Sequence, residues 1–233
     1  MPGCPHHVTQ RGNRRQQTFF GSADYAEYLD ILREKAEKYD IEVWAYCLMP
    51  NHVHLIVVPK ASESLAKAIG FTHQLYSQRM NQRQRWKGHV WQGRFFSFPL
   101  SDGHLLTAAK YVELNPVRAN LARRPEDWPW SSARAHLDGR SASLLGGDRL
   151  LELRPNWCDF LKDGVHSSIF SIFEKHSSTG RPLGDAAFVA KLEESLGRQL
   201  RARPRGRPQK NRDTLVFPDA LEATVPENVW CPD

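Results

Sequence analysis

Residues 41–58 read IEVWAYCLMPNHVHLIVV. The runs Ile41–Leu48 and His52–Val58 are rich in β-branched and aromatic residues, and Met49-Pro50-Asn51 between them is turn chemistry. That combination predicts an antiparallel hairpin. The second run is apolar on both faces, with Val53, Leu55 and Val57 on one side and Ile56 and Val58 on the other, the pattern of a strand inside its sheet. Side chains alternate along a strand, so His52 and His54 point to one face. Two imidazoles so spaced can share one metal ion and leave its other positions to phosphate oxygens and water, where the ion would polarise a phosphodiester. Two histidines at a strand end can also be ordinary polar positions, but on the covered side of a sheet they would need partners.

Working outward, His7 to Gly12 reads as a short strand, followed by a loop crowded by Arg11, Arg14 and Arg15. Tyr25, Tyr28, Leu29, Leu32 and Ala36 recur at helical steps and predict a helix from about Ala23 to Tyr39, with Ser22 as its N-cap. Beyond the hairpin a second helix is predicted over Ser64 to Gln84, then a strand over Val90 to Leu100, and a third helix from Ser101 or Asp102 to Asn115. The order strand, helix, strand, strand, helix, strand is that of the ferredoxin-like split βαβ. The expected class is α+β with an antiparallel sheet and a helical C-terminal extension. Asp127 to Leu137 reads as a further short helix. Near Arg140 the texture changes, which places a boundary there. The expected organisation is a main domain over 1–139, a small helical and basic extension over 140–213, and a flexible tail over 214–233. Within the extension, Asp185 to Leu196 reads as a helix closed by Gly197, and Arg198 to Arg212 holds seven basic residues and no acidic one.

The 233 residues are 40% hydrophobic and 25% charged, with seven Trp and eleven Phe to anchor a core. The net charge of +6 and a pI near 9.2 suit a polyanionic partner. Cys4, Cys47, Cys158 and Cys231 are scattered and form no CxxC pair, which argues against a zinc knuckle or a disulfide scaffold. No apolar run approaches the roughly 20 residues of a membrane span, and Met1 to His7 lacks the apolar core of a signal peptide. The expected location is therefore the cytoplasm, with no membrane partner.

Tyr111 lies on the third helix, where Leu105, Ala109 and Val112 form the packing stripe and His104, Thr107, Tyr111 and Asn115 an adjacent one. A phenol can attack a phosphate and hold it covalently, although a pKa near 10 makes it a poor nucleophile without help from a metal or cation. Most tyrosines are amphipathic packing. Tyr25, Tyr28, Tyr39 and Tyr46 fit that role, and Tyr76 is the one rival after the histidine pair. Asn115 has two readings. Its oxygen could reach the metal one turn beyond Tyr111, or, followed by Pro116, it could cap a new helix; the capping reading is preferred.

Four ordered stretches resemble one family: Val8-Thr9-Gln10-Arg11-Gly12-Asn13, then Trp44 to Leu55 with the histidine pair, then Gly88-His89-Val90-Trp91-Gln92-Gly93-Arg94-Phe95, then Tyr111-Val112-Glu113-Leu114-Asn115-Pro116-Val117-Arg118-Ala119. They are similar to the REP-associated tyrosine transposases, a branch of the HUH single-strand transposases in which U is a hydrophobic residue. The resemblance spans about the first 137 residues and continues at Thr179 to Gly184 and Arg205 to Pro208. It implies an HUH nuclease fold, a Mg²⁺ or Mn²⁺ ion on His52 and His54, and cleavage of single-stranded DNA by Tyr111 to give a 5′-phosphotyrosine enzyme and a free 3′-hydroxyl. In relatives a Gln one helical turn after the tyrosine completes the metal site; here that position is Asn115. The family is associated with repetitive extragenic palindromes (REPs), which fold into hairpins.

The partner so implied is single-stranded or hairpin DNA rather than a small molecule, and a monomer is favoured. Arg11, Arg14, Arg15 and Arg94 are expected at phosphates or bases, and Trp91 is expected to stack on a splayed base. For Phe95, core packing is the stronger expectation. Arg205-Gly206-Arg207-Pro208 resembles the core of an AT-hook, whose arginines follow a narrow minor groove. Two rival readings are a domesticated hairpin-binding protein with little chemistry and a metal hydrolase of small molecules. The intact His pair and Tyr111 weigh against the first, and the basic segments against the second.

Overall fold

The computed structural model describes residues 1–139, 143–164 and 167–201, with side chains omitted at 167 and 168. Met1–Arg201 form one compact unit. Four strands, β1 (His6–Arg11), β2 (Ile41–Met49), β3 (His52–Pro59) and β4 (Phe96–Pro99), make an antiparallel sheet in the order β2-β3-β1-β4. This is the ferredoxin-like split βαβ arrangement read from the sequence. Met49 faces His52 across the hairpin, so the turn itself is only Pro50-Asn51. β3 lies between β2 and β1, which explains why both of its faces are apolar.

One face of the sheet carries α1 (Ser22–Lys38) and α2 (Ser64–Gln84). Their core combines Tyr25, Tyr28, Ile31, Leu32, Ile69, Tyr76 and Met80 with Val53, Leu55 and Val57 of β3. The other face carries α3 (Asp102–Arg118) and, beyond it, the short helices α4 (Ala133–Leu137), α5 (Arg149–Leu153) and α6 (Trp157–Lys162), then α7 (Ser167–Thr179) and α8 (Ala186–Leu196). Ile56, Phe98, Leu105, Ala109, Val112, Leu150, Trp157, Leu161, Phe173 and Leu183 form that second core. Chain after residue 143 thus contributes directly to the packing beneath α3.

Several boundaries differ from the sequence reading. The strand expected over Val90–Leu100 shrinks to Phe96–Pro99, leaving only an isolated bridge between Trp91 and Gly12. The preceding segment holds two glycines, Gly88 with φ of 101° and Gly93, and loops over α2 instead. Gly21, not Ser22, precedes α1, and the Asp24 carboxylate accepts from the Phe20 and Gly21 amides at 2.6 and 3.3 Å. Asn115 does not cap a new helix, because α3 continues through Asn115-Pro116 to Arg118. Pro116 removes the backbone donor that would serve the Val112 carbonyl, and separately the Asn115 Nδ2 donates to the Tyr111 carbonyl at 2.8 Å. The helix expected over 127–137 is reduced to α4, after a single 3-10 turn at Pro125–Asp127. The α8 ends are as read, with Asp185 accepting from the Phe188 amide and Gly197 left-handed at φ of 60°.

α3 is pinned from below by a buried carboxylate. Glu113, fully enclosed, accepts from Ser132 Oγ at 2.6 Å and Trp157 Nε1 at 2.7 Å, and lies 2.5 Å from His136 Nδ1. Ser132 is itself tied to β2, since its Oγ accepts from the Tyr46 amide. This junction locks α3 to β2, α4 and α6 two residues past Tyr111.

Candidate active site

The β1–β3 register builds one wall of a cleft. Arg11 stands opposite His52 and Thr9 opposite His54, so all four share the α3 face. The cleft, of about 440 Å³, is lined by these residues together with Arg15, Gln92, Phe96, Tyr111, Arg118 and Glu174. The loop after β1 is held tightly against the hairpin turn. A side chain on Gly12 would meet the Gln16 carbonyl at 2.2 Å, so only glycine fits there. The Thr18 and Phe19 amides donate to the Pro50 carbonyl, and Asn51 Nδ2 donates to the Arg15 carbonyl at 3.1 Å.

The two histidines have one nitrogen each already engaged. His52 Nδ1 lies 2.6 Å from Asn51 Oδ1, and His54 Nδ1 lies 3.1 Å from His7 Nε2. Their ring centroids are 4.9 Å apart. Among the described residues, neither Nε2 has a hydrogen-bond partner, and both residues line the cleft. Two neighbouring imidazoles that line the cleft, each with its Nε2 unpaired among the described residues, have the donor chemistry to hold a divalent cation completed by water or phosphate oxygens. Among the described residues, no cluster of three or more His, Cys, Asp or Glu stands ready to hold a metal. Burial, with the positive charges of Arg11 and Arg118, pushes the His52 imidazole down to about 3. His54 is likewise held well below its usual value by burial and by its neighbours His52 and His7. Both imidazoles are therefore neutral, the form that ligates metal.

Tyr111 is brought to this pair by α3, its ring centroid 5.5 Å from that of His54 and 5.9 Å from that of His7. It is only 3% exposed, more enclosed than its helical stripe suggests, because α7 covers it. Phe173 stacks on it at 4.7 Å and Phe170 packs at 5.4 Å. Burial raises the phenol pKa; Arg118 and Arg11 oppose that shift and Glu174 adds to it. The rival Tyr76 lies on the opposite face of the sheet, where its hydroxyl donates to the Thr18 carbonyl at 2.5 Å.

The remaining site residues read from the sequence divide. Arg11 and Arg15 line the cleft; Arg14 is exposed beside it, with φ of 52°. Arg94 is exposed on a separate hollow between α2 and the segment before β4. Trp91 is not placed to stack on a base. It is 5% exposed, packed against Phe19, Tyr28, His73 and Tyr76, and its Nε1 donates to the His73 carbonyl at 3.2 Å. Phe95, expected in the core, is the more open of the two and lines the hollow. Asn115 does not line the cleft: its amide is committed to the Tyr111 carbonyl and its Oδ1 accepts from Arg118 at 3.3 Å. Arg205 and Arg207 lie outside the described residues.

Several cleft residues escaped the sequence reading, Arg118, Phe96 and Glu174 among them. Arg118 falls two helical turns after Tyr111, a spacing that would have placed them on one face; its guanidinium also sits 4.5 Å over the Phe170 ring. Phe96 is 49% exposed at the cleft mouth, and Glu174 comes from α7, which no motif connects to the site.

Residues 1–115 match the family model described as Transposase IS200 like. A protein of Haemophilus influenzae, provisionally named a REP-associated tyrosine transposase, is 28% identical over 117 residues, covering 46% of this chain. The match takes in 66% of that relative's own length, just under two thirds. Among solved structures, a REP-associated tyrosine transposase bound to a REP hairpin aligns at 19% identity and a TM-score of 0.49, covering 64% of this chain and 88% of that one. A protein of Deinococcus radiodurans, provisionally named a transposase, aligns at 20% identity and a TM-score of 0.36, covering 47% and 88% respectively.

Proposed function

We propose, from the premise that residues 1–115 are an IS200-like transposase domain of the REP-associated kind, that the protein is a metal-dependent endonuclease and strand transferase of single-stranded DNA. The observation that carries this reading is the convergence of Tyr111, His52, His54, Arg11 and Arg118 on one cleft from three different elements.

In the proposed reaction the Tyr111 oxygen attacks the phosphorus of a phosphodiester. The new bond is Tyr111 Oη–P, and the bond broken is P–O3′. The phenol gives up its proton and the departing 3′-oxygen gains one, leaving a 5′-phosphotyrosine and a free 3′-hydroxyl with no net change in protons. Attack by the 3′-hydroxyl of a second strand end on the same phosphorus reverses these steps and joins the strands. Bound Mg²⁺ or Mn²⁺ would neutralise charge developing on the phosphate. His52 and His54 are its ligands in this reading; Asn115 could join them only by turning its oxygen away from Arg118. Arg11 and Arg118 hold the phosphate and favour the phenolate, since positive charge beside a phenol lowers its pKa. Arg15, Arg14 and Arg94 would follow the backbone further out, with Arg205 and Arg207 as an additional basic arm.

The substrate in this reading is a palindrome hairpin with unpaired flanks, the working unit is a monomer, and the site of action is the cytoplasmic nucleoid. Among the described residues, no helix is long and apolar enough to cross a membrane. Residues 140–213 are proposed as a DNA-binding extension of the catalytic domain.

The test is direct. The protein is incubated with end-labelled hairpin DNA and Mn²⁺ and run on a denaturing gel. A covalent adduct is expected, and Tyr111→Phe should abolish it while leaving hairpin binding intact. An adduct that survives this substitution overturns the nucleophile assignment; tight binding with no adduct on any flanked palindrome favours the domesticated binding protein.

A further inference from the structure

We propose that His7 is a positioning residue, which accepts the Nδ1–H of His54 and thereby turns the His54 Nε2 lone pair toward the cleft. This inference rests on the reading of His52 and His54 as metal ligands.

His7 lies in β1, is fully buried, and is not among the residues that line the cleft. Its Nε2 is 3.1 Å from His54 Nδ1; the ring planes are parallel within 3° and their centroids are 5.3 Å apart, a separation that sets the two rings edge to edge in nearly one plane. Coplanarity places each nitrogen in the plane of the other's lone pair, the geometry of a directed hydrogen bond. Phe98, Tyr111 and Phe173 meet the His7 ring at steep angles, 80° to 89°, with centroids 5.0 to 5.9 Å away. Walled in this way, the ring has little room to leave its position.

An imidazole binds a cation through the nitrogen that carries no proton. A histidine that ligates through Nε2 must therefore keep its proton on Nδ1, and the partner of that proton fixes tautomer and orientation. His52 has such a partner in Asn51 Oδ1, 2.6 Å from its Nδ1. For His54, the acceptor among the described residues is His7 Nε2. The arrangement has a cost: among the described residues His7 Nδ1 is buried with no partner, and an unpaired buried polar atom is unfavourable. A phenylalanine would fill the same space without that cost. What it could not do is accept a proton from His54.

Two substitutions separate positioning from packing. His7→Phe keeps the shape and removes the acceptor; His7→Gln puts an amide oxygen near the position of Nε2. Mn²⁺ binding to the full-length, metal-free proteins is measured by calorimetry, beside thermal unfolding and hairpin binding without metal. His7→Phe is expected to weaken Mn²⁺ binding about 10- to 100-fold, the range for loss of a group that orients a metal ligand, while folding and metal-free DNA binding stay as in the parent. His7→Gln should stay close to the parent. A folded His7→Phe protein with parental Mn²⁺ affinity overturns the proposal, as does a His7→Gln protein as weak as His7→Phe. Should His7→Phe not fold, ¹⁵N shifts of His54 in the metal-free parent decide: a proton on Nδ1 supports the proposal and a proton on Nε2 overturns it. The His52→Ala/His54→Ala protein is the control. If it binds Mn²⁺ as the parent does, the metal reading itself has failed and takes this inference with it; if only His7→Phe is without effect, the metal reading stands alone.

Discussion

Each face of the sheet buries a tyrosine, a histidine and a belt of aromatic rings, and the two faces use them differently. On the α1/α2 face Tyr28, Tyr76 and Trp91 pair their polar atoms with a neighbouring side chain or with backbone, while both His6 ring nitrogens are buried with no partner among the described residues. The Tyr28 hydroxyl meets His73 Nε2 at 2.9 Å, Tyr76 donates to the Thr18 carbonyl, and Trp91 donates to the His73 carbonyl. On the α3 face, bonding capacity is left over beside the cleft: His52 and His54 each keep an Nε2 unpaired among the described residues, and Arg11, Arg15 and Arg118 line the cleft with Tyr111. Paired polar groups in a core stabilise it. Groups held neutral or charged against a cleft, with unspent lone pairs and protons, are the equipment of chemistry. The contrast between Tyr76 and Tyr111 is therefore one of surroundings, not of burial, since both are enclosed.

The largest expected effect tests that contrast head-on. Tyr111→Phe should remove the covalent adduct completely, and Tyr76→Phe should leave it intact while lowering stability by about 1–2 kcal/mol, because the Thr18 carbonyl loses its donor. Adduct assays paired with urea unfolding of both variants check this. If Tyr76→Phe loses the adduct at full stability, the two faces have been assigned the wrong way round.

A smaller effect is expected at Arg118. Replacing it with Gln should weaken hairpin binding across different flanking sequences and lessen the salt dependence of log K by about one unit, the signature of one lost phosphate contact. Binding titrations at several salt concentrations measure that slope. An unchanged slope would make Arg118 a packing residue over Phe170 rather than a phosphate ligand.

The smallest effect concerns the quiet face. Burial holds His73 neutral, its pKa pushed down to about 3, whereas an unfolded histidine titrates near 6.5. Below pH 6.5 the unfolded chain takes up a proton that folded His73 refuses. Its contribution is thus complete above pH 6.5 and is lost as pH falls toward 3. Between pH 7 and 5 this share amounts to about 1–2 kcal/mol. His73→Gln, which can keep the bond to Tyr28, should flatten the pH dependence of the unfolding midpoint by that share. An unaltered slope would mean that His73 is not the proton-refusing group on this face.

Much of the fold was legible because its signals are local. The β2–β3 hairpin follows from two β-rich runs around Pro50-Asn51, and α2 was read over its full span from apolar spacing alone. The strand before α3 was overextended because Val90, Trp91 and Phe95 look strand-like in isolation; only the glycines and the competing core beneath α2 turn that segment away. Trp91 was assigned to base stacking for the same reason, whereas Phe95 does pack, half-buried, against the α1/α2 core. Either ring could be core or surface, and the choice depends on a helix twenty residues earlier in the chain.

For the site, alternation along β3 sufficed to put His52 and His54 on one face, and helical spacing would have sufficed to join Arg118 to Tyr111. Neither period says what lies across from them. That His7 stands behind His54 and that Phe173 and Glu174 close over Tyr111 are results of strand register and of α7 docking from more than fifty residues downstream. Sequence by itself determined the elements and the facing of the histidine pair, because side-chain periodicity is a property of the local backbone. Only the tertiary structure decided which buried polar groups are paired and which are left unpaired beside the cleft, because pairing is made between segments the chain order does not bring together.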